Sequence, residues 1–342
     1  MKKLVILLIS LTCILATFYG STKVLAAKGT PESADFGYGI RVDPSGQNID
    51  AALDTVCEMK IDWISIDFDW EALWSDPQNQ PHLETIDPIL QKAGEYNRPV
   101  LISIRNAPDW AKTPDGPDPA MTSWFVNNLV RHYGDTIQAV ELFPYANTTA
   151  GWGALPNPAQ YAQVFETVKT GLEQAGINII LVAGGLTPTI VSDENNLDDL
   201  AFLQGLYDAG AAQWMSIVSI RLPTITGSPL DSPENGNHLV LRHYEEIRQI
   251  MLSNQHDSGL IWITELAWPS GEISKNDVSL KSPAEQSRWL VQAYRQLRSQ
   301  LYLGVAYYTR LNPPAPGYSN PQNGATQLID KNNNQHPFTN VL

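Results

Sequence analysis

Short apolar runs alternate with helical segments along most of the chain, and this alternation restricts the possible folds more than any other feature. Runs rich in β-branched and apolar residues predict eight strands, at residues 36–42, 63–68, 100–104, 139–143, 179–183, 215–220, 260–264 and 303–308. Helical spacing of apolar residues predicts seven intervening helices, at residues 48–59, 83–96, 121–133, 158–175, 197–208, 239–253 and 283–300. Successive strands begin about 38 residues apart, which is enough for one strand, one helix and the two loops of a repeating unit in a parallel sheet.

A closed barrel explains this pattern better than the two other parallel folds. An open doubly wound sheet usually carries a glycine-rich phosphate turn, and Gly37-Tyr38-Gly39 lacks the third glycine of that motif. A solenoid needs self-similar repeats, which the sequence does not contain. We therefore predict an α/β fold, a single (β/α)8 barrel, whose last helix is short or truncated because few residues follow the eighth strand.

The N-terminus has the pattern of a secretory signal. Lys2 and Lys3 precede an apolar stretch over residues 4–19, and Val24-Leu25-Ala26 offers a small-residue cleavage site. This predicts a signal peptide over residues 1–26, a barrel domain over residues 27–342, and a location outside the cytoplasm. An uncleaved anchor is the alternative, although the apolar stretch is marginal for crossing a bilayer. The sequence contains no second apolar run of that length, so no further membrane contact is expected.

Charge and motif content exclude several functional classes. The net charge of −14 argues against nucleic-acid binding, which depends on clustered cations. The six histidines lack metal-ligand spacing, so no metal site is expected. The sequence has no phosphate-binding loop, no Gly-x-Ser-x-Gly elbow and no cysteine nucleophile with an evident partner. We therefore expect no cofactor.

Polar residues just after the predicted strands are the candidates for a functional site, because barrel chemistry lies at the C-terminal ends of the strands. They include several tryptophans, whose indole faces stack well on the C–H faces of sugar rings. This clustering favours a carbohydrate cleft that binds an oligo- or polysaccharide, although each tryptophan could instead simply pack a loop. The predicted substrate-binding residues are Asp69, Trp70, Asn106, Trp110, Asn147, Trp152, Arg221 and Trp268.

Two segments resemble the clan A glycoside hydrolases, especially the secreted bacterial cellulase-like and xylosidase-like enzymes with (β/α)8 folds. Trp262-Ile263-Thr264-Glu265-Leu266-Ala267-Trp268-Pro269 is similar to the strand-seven signature of that clan, which implies Glu265 as the nucleophile. The region from Val140 to Asn147 is similar to the strand-four region. There the clan has Trp-Asn-Glu-Pro, and this chain has Phe143-Pro144-Tyr145-Ala146. The resemblance therefore places Tyr145 at the acid/base position.

The substitution at position 145 bears directly on activity. A retaining glycosidase uses two carboxyl groups about 5 Å apart, one attacking and one protonating the leaving group. A phenol with a pKa near 10 is a poor proton donor, and loss of general-acid help typically costs ~10² to 10⁴ in rate. We therefore predict a carbohydrate-binding protein with lost or impaired hydrolysis. The alternatives are an active retaining glycosidase that uses Glu265 with a non-standard acid, and a non-catalytic scaffold that binds protein.

The resemblance implies three further departures from the clan pattern. Ser65 stands where a strand-two arginine is often found, Arg221 where a strand-six histidine is usual, and Thr309 where a strand-eight tryptophan is usual.

Other carboxylates near the strand ends have structural interpretations. Glu141, four residues before Tyr145, would lie ~13 Å deeper on an extended strand, so we interpret it as a buried structural partner. Asp67 and Asp69 are expected to form salt bridges or anchor loops, with a surrogate-acid role as the alternative. Glu265 could itself be a structural carboxylate paired with Arg221 or Arg310.

Overall fold

The computed structural model describes residues 36–44, 49–59, 61–189, 192–235, 239–268 and 282–309, and it contains a closed parallel barrel of eight strands. Each strand pairs with its sequence neighbours, and β1 closes the barrel against β8. The predicted (β/α)8 barrel is confirmed. The strands are β1 Gly37–Val42, β2 Trp63–Asp69, β3 Val100–Arg105, β4 Ile137–Leu142, β5 Ile180–Leu186, β6 Ile217–Leu222, β7 Leu260–Leu266 and β8 Leu303–Tyr308.

Helices follow the first seven strands, and several begin at an Asp-Pro, Asn-Pro or Ser-Pro pair. Asp118, for example, accepts a hydrogen bond from the Met121 amide, while Pro119 supplies a helical φ angle at the first position. No helix among the described residues has the length and apolar character needed to cross a bilayer. The helices are α1 Ile49–Glu58, α2 Asp87–Glu95, α3 Pro119–Tyr133, α4 Pro158–Gln174, α5 Asp199–Asp208, α6 Tyr244–Ser253 and α7 Pro283–Arg298.

Two predictions fall outside the described residues. The predicted signal peptide over residues 1–26 lies before residue 36, the first described residue. The predicted short last helix would lie after residue 309, the last described residue.

The alternation of side chains along the strands builds the barrel interior in layers. A lower layer is apolar and includes a tryptophan pair, Trp63 and Trp262, whose ring centroids are 5.2 Å apart. Because side chains alternate with a period of two, the inward residues two positions further along several strands form the next layer. These residues are polar or charged: Ser65, Ser103, Glu141, Ser219 and Thr264. The apolar layer therefore supports a polar one toward the C-terminal mouth.

A buried histidine links α5 to the start of α6. His243 binds Asp199 Oδ2 through Nε2 at 2.6 Å and Glu246 Oε2 through Nδ1 at 2.7 Å. Burial of the imidazole alone would lower its pKa, but the hydrogen bonds to Asp199 and Glu246 raise the pKa to about 9. The charged imidazolium therefore holds the two helices together at neutral pH.

This contact predicts a pH-dependent stability. Because the pKa of His243 rises from 6.5 to about 9 on folding, its contribution is complete below pH 6.5 and is lost as the pH rises through 9. We expect this contribution to be roughly 3 kcal/mol. Denaturant unfolding of the wild type and of His243→Gln between pH 6 and pH 10 measures it. The unfolding free energies of the wild type and of His243→Gln should converge as the pH rises. A difference that stays constant with pH would contradict the raised pKa of His243.

Candidate active site

Glu141 lies at the centre of the polar layer, on β4, and is fully buried. Its carboxylate accepts hydrogen bonds from Ser103 Oγ at 2.6 Å, Ser219 Oγ at 2.7 Å and Thr264 Oγ1 at 2.6 Å. Arg221 Nη2 lies 2.6 Å from it. Burial alone would raise the pKa of Glu141, but Arg221 and the hydroxyl donors lower it overall. Glu141 is thus an ionised structural partner, as expected from the sequence.

The expected depth of Glu141 needs a correction. The figure of ~13 Å assumed an extended strand as far as Tyr145. Instead β4 ends at Leu142, and the chain turns, with positive φ at Phe143 (46°) and Tyr145 (65°). The Arg221 guanidinium connects Glu141 directly to Glu265, since its Nη1 lies 3.5 Å from Glu265 Oε2. Glu141 therefore lies one side chain away from the predicted nucleophile.

Glu265 lies at the C-terminal end of β7, where several donors converge on its carboxylate. Its Oε1 lies 2.8 Å from Arg41 Nη1, and its Oε2 accepts a hydrogen bond from the Tyr145 hydroxyl. Glu265 is 6% exposed, while Tyr145 is half-buried in front of it. The two residues that sequence similarity assigned to the nucleophile and acid/base positions are therefore in direct contact.

Tyr145 is held by the tight turn after β4. Its amide donates to the Gly185 carbonyl at 2.8 Å, and a Cβ atom at Gly185 would lie only 2.7 Å from Pro144 Cα. Positive φ at a bulky residue is uncommon and is often found at functional sites. Burial, and then the charge of Glu265, raise the pKa of Tyr145 above its ordinary value. Its phenol therefore remains protonated and donates to Glu265.

Known structures match the chain over most of its length, although no family model and no curated protein sequence matches it. A family 39 glycoside hydrolase from the gut symbiont Bacteroides cellulosilyticus WH2 matches with a TM-score of 0.64 and 16% identity, over 89% of this chain and 61% of that one. GH5_18 from Streptomyces cattleya, in complex with GlcNAc, matches with a TM-score of 0.64 and 10% identity, over 90% and 78% of the two chains.

A glycoside hydrolase family 30 subfamily 8 xylanase from Clostridium acetobutylicum gives a TM-score of 0.54 at 15% identity, over 89% of this chain and 69% of that one. All three are clan A enzymes with (β/α)8 barrels. In its fold, the chain resembles the clan A glycoside hydrolases. This glycoside hydrolase-like barrel spans about three-fifths of the length of the family 39 structure.

Arg41, on β1, is a site residue of this glycoside hydrolase-like barrel that the sequence analysis missed. Its guanidinium contacts both Glu265 and Asp67. Its Cα pairs in register with Ser65, the position at which the resemblance implied a missing strand-two arginine. Arg41 thus supplies from β1 a cation beside the nucleophile position. The signal for it is its alternation with the inward-facing Gly39, which places Arg41 within a strand and not after one.

Asp67 is surrounded by arginines and does not behave as an acid. Arg105 Nη1 lies 3.0 Å from its Oδ2, Arg221 Nη2 lies 3.4 Å from its Oδ1, and Arg41 also contacts it. Burial alone would raise the pKa of Asp67, but these arginines lower it well below its ordinary value. These arginines argue against the alternative in which Asp67 is a surrogate acid, because a lowered pKa leaves the carboxyl without a proton near neutral pH.

Three predicted substrate-binding residues are partly exposed at the mouth of the barrel: Asp69, Asn106 and Trp110. Asn106 Nδ2 donates to Asp69 Oδ2 at 2.7 Å, and Asp69 also caps the short helix Trp70–Leu73. Asp69 thus anchors a loop, as expected. Trp110 Nε1 donates to the Trp74 carbonyl at 3.3 Å. Together these residues form a partly open, aromatic side of the mouth, after β2 and β3.

Three predicted tryptophans are buried. Trp70 stacks on Phe125 with ring centroids 4.1 Å apart. Trp152 Nε1 donates to the carbonyl of residue 115 at 2.8 Å, and Trp268 Nε1 donates to that of residue 227 at the same distance. In this conformation their rings pack loops, which is the alternative that the sequence left open. A sugar contact at any of them remains a prediction.

The last two predicted substrate-binding residues are also buried. Asn147 Nδ2 donates to the carbonyls of Thr187 at 2.8 Å and Leu197 at 3.0 Å, so it fixes the loops after β4 and β5. Arg221 lies beneath the Tyr145 ring, with its guanidinium 5.3 Å from the ring centroid. Arg221 also pairs with Glu265, as one alternative from the sequence proposed, whereas Arg310 lies outside the described residues. Thr309 is buried at the end of β8.

Proposed function

We propose that this protein binds an oligo- or polysaccharide at the C-terminal mouth of its barrel, and that its retaining hydrolysis is lost or impaired. The observation that carries the proposal is the hydrogen bond from the Tyr145 hydroxyl to Glu265. A proton-donating carboxyl would be needed at this position for the two-carboxylate mechanism. A phenol with a raised pKa cannot replace it efficiently.

The neighbouring carboxylates support the loss of the acid. Among the described residues, Asp67 and Glu141 are the other carboxylates in contact with the arginines around Glu265. Both have lowered pKa values, so neither holds a proton to donate. The remaining chemistry is then attack by Glu265 on the anomeric carbon of a sugar whose leaving group departs without a proton.

An active retaining glycosidase with a non-standard acid is the second candidate. Arg41 favours it, because this residue places a cation 2.8 Å from Glu265 despite the serine at position 65. The nucleophile position thus keeps a neighbouring cation, although the residue at the acid position is a tyrosine in place of a glutamate. A protein-binding scaffold is the third candidate, and it requires that no sugar binds at all.

Export is a further part of the proposal. Lys2, Lys3 and the apolar stretch over residues 4–19 support a signal peptide over residues 1–26. The mature protein would then meet polysaccharides outside the cytoplasm, either free or held by an uncleaved anchor.

Aryl glycosides with an activated leaving group test the nucleophile alone. We expect slow turnover of dinitrophenyl glycosides by the wild type and an intact-mass adduct with the matching 2-fluoro sugar, because such leaving groups need little acid assistance. Glu265→Ala should lose both, while Glu166→Ala, an exposed carboxylate on α4, should keep both.

The outcomes separate the three candidates. Turnover of glycosides with poor leaving groups would favour the active glycosidase. An adduct that survives Glu265→Ala would remove Glu265 from the role of nucleophile. If the protein neither hydrolyses nor binds any member of a broad panel of sugars, the protein-binding scaffold is the candidate that remains.

A further inference from the structure

A groove of about 820 Å³ lies between α3 and α4, in the outer helical layer of the barrel, and its lining includes neither Tyr145 nor Glu265. The two helices approach closely at Gly171, where a Cβ atom would lie only 2.3 Å from Ser123 Oγ. Ser123 is buried and donates from Oγ to the Thr167 carbonyl at 3.2 Å. Small side chains therefore line the closest approach of the two helices, and longer side chains line the rest of the groove.

Trp124 lines this groove and is 45% exposed, which is a large exposure for an indole. Asn127, Asn128 and Arg131 follow it along α3 and also line the groove. Residues three, four and seven positions apart share one face of a helix. Trp124 and Arg131 are about 10 Å apart along the helix axis. This face of α3 therefore offers an indole surface at one end and hydrogen-bonding groups beyond it.

Hydroxyl and amide groups make up most of the polar lining. Asn127 Nδ2 donates to the Ser123 carbonyl at 2.8 Å, and Asn128 Nδ2 donates to the Trp124 carbonyl at 2.7 Å. Among the described residues, Asn127 Oδ1 is a buried acceptor without a hydrogen-bond partner. The described lining holds one arginine and one glutamate, so it has no net charge. An indole beside amides and hydroxyls suits the C–H face and the hydroxyl groups of an uncharged sugar.

A row of three indoles connects this groove to the mouth of the barrel. The ring centroids of Trp110 and Trp74 are 5.5 Å apart, and those of Trp74 and Trp124 are 5.4 Å apart. Trp110 belongs to the partly open, aromatic side of the mouth. A helix that follows a parallel strand runs back along it, so the N-terminal half of α3, with Trp124, lies toward the mouth. A chain of sugars that leaves the mouth on this side would therefore meet Trp124.

We propose that the groove between α3 and α4 is a second carbohydrate site, which binds an uncharged polysaccharide with one sugar ring stacked on Trp124. Its volume falls within the usual range of small-molecule sites, roughly 300 to 1,000 Å³. The choice of a sugar as the ligand rests on the proposed function, although the groove contains none of the residues assigned to the reaction. A second copy of this chain fits less well, because the cores of interfaces between copies are mainly apolar and this lining is largely polar.

Oxidative footprinting of the full chain locates the bound sugar. The probes are β-1,4-linked hexasaccharides of glucose, xylose, mannose and N-acetylglucosamine, and mass spectrometry maps the side chains that hydroxyl radicals oxidise. For a sugar that binds, we expect oxidation of Trp124 to fall several-fold, because a stacked sugar ring covers the indole. Tyr96, which directly follows α2 and is 42% exposed, is the internal control and should be oxidised equally with and without the sugar.

Variants of the exposed indole provide the second measurement, by native electrophoresis through a gel that contains the matching soluble polysaccharide. One polymer can engage the mouth and the groove together, so Trp124→Ala should lower the affinity about tenfold. Trp124→Phe should keep most of the affinity, because a ring remains. Tyr96→Ala, which removes a similarly exposed ring outside the groove, should bind as the wild type does. Thermal unfolding checks each variant, and Thr170→Trp, which fills the groove, replaces Trp124→Ala if that variant is unfolded.

The other outcomes separate this site from the mouth. Protection of Trp110 without protection of Trp124 would overturn the second site and leave the proposed function intact. Protection of neither residue would overturn both. Protection of Trp124 alone would support the groove and contradict sugar binding at the mouth. Protection of Trp124 that appears without sugar as the protein concentration rises would mean that a second copy covers the groove, and it would overturn the proposal.

Discussion

Glu141→Gln is expected to lower the free energy of unfolding by about 3–5 kcal/mol, because removing one partner of a buried ion pair leaves the other charge uncompensated. Arg221, 1% exposed, would lose the carboxylate that lies 2.6 Å from it. The hydroxyls that now donate to Glu141 would also face an amide with only one acceptor oxygen. Equilibrium unfolding in guanidinium chloride measures the difference between variant and wild type.

The pH dependence of this difference provides a second check. Folding lowers the pKa of Glu141 from its ordinary 4.5, so the stabilisation is present above pH 4.5 and is lost as the pH falls toward the pKa of the folded state. The gap between wild type and Glu141→Gln should therefore narrow below pH 4.5. Glu166→Gln, on the exposed face of α4, should change stability by less than about 0.5 kcal/mol at either pH. A loss of under 1 kcal/mol for Glu141→Gln at neutral pH would contradict the role assigned to this carboxylate.

The fold was predictable because two kinds of local signal agree along the chain. Apolar, β-branched runs such as residues 100–104 are buried on both faces of the barrel wall, so they stay apolar over nearly their whole length. Pairs such as Asp118-Pro119 then define where the helices begin. Strand ends were less certain, because the left-handed turn at Phe143 and Tyr145 has no glycine to indicate it.

The site was predictable only in part, for physical reasons that particular residues illustrate. Glu265 follows a recognisable strand pattern, and the structure brings Tyr145 into contact with it, while the roles assigned to the two residues stay predictions. Arg41 lies within a strand rather than after it, and its two carboxylate partners are distant in sequence. The burial of Trp70 and Trp268 depends on loops that pack around them, so composition cannot distinguish them from an exposed residue such as Trp124.

Tyr145→Glu is expected to raise kcat/KM for glycosides with poor leaving groups by about 10²-fold, because it places a carboxyl group beside Glu265. Two carboxyl groups that share a site cannot both ionise easily, so the pKa of one rises. Arg41 and Arg221 contact Glu265, and we therefore expect the proton to reside on position 145. The side chain of glutamate is also shorter than that of tyrosine, which leaves room for a sugar ring between the two groups. Steady-state hydrolysis of alkyl glycosides or disaccharides by the purified variant measures the gain.

Tyr145→Gln is the matched control for Tyr145→Glu, since it has nearly the same size but no proton to donate. On alkyl glycosides only the glutamate variant should gain activity, with a bell-shaped pH profile that reports one acid and one nucleophile. On dinitrophenyl glycosides the two variants should differ little, because that leaving group departs without a proton. Equal rates for both variants on alkyl glycosides would mean that position 145 is not where the leaving group is protonated. The acid of this barrel would then have to be sought on another loop of the mouth.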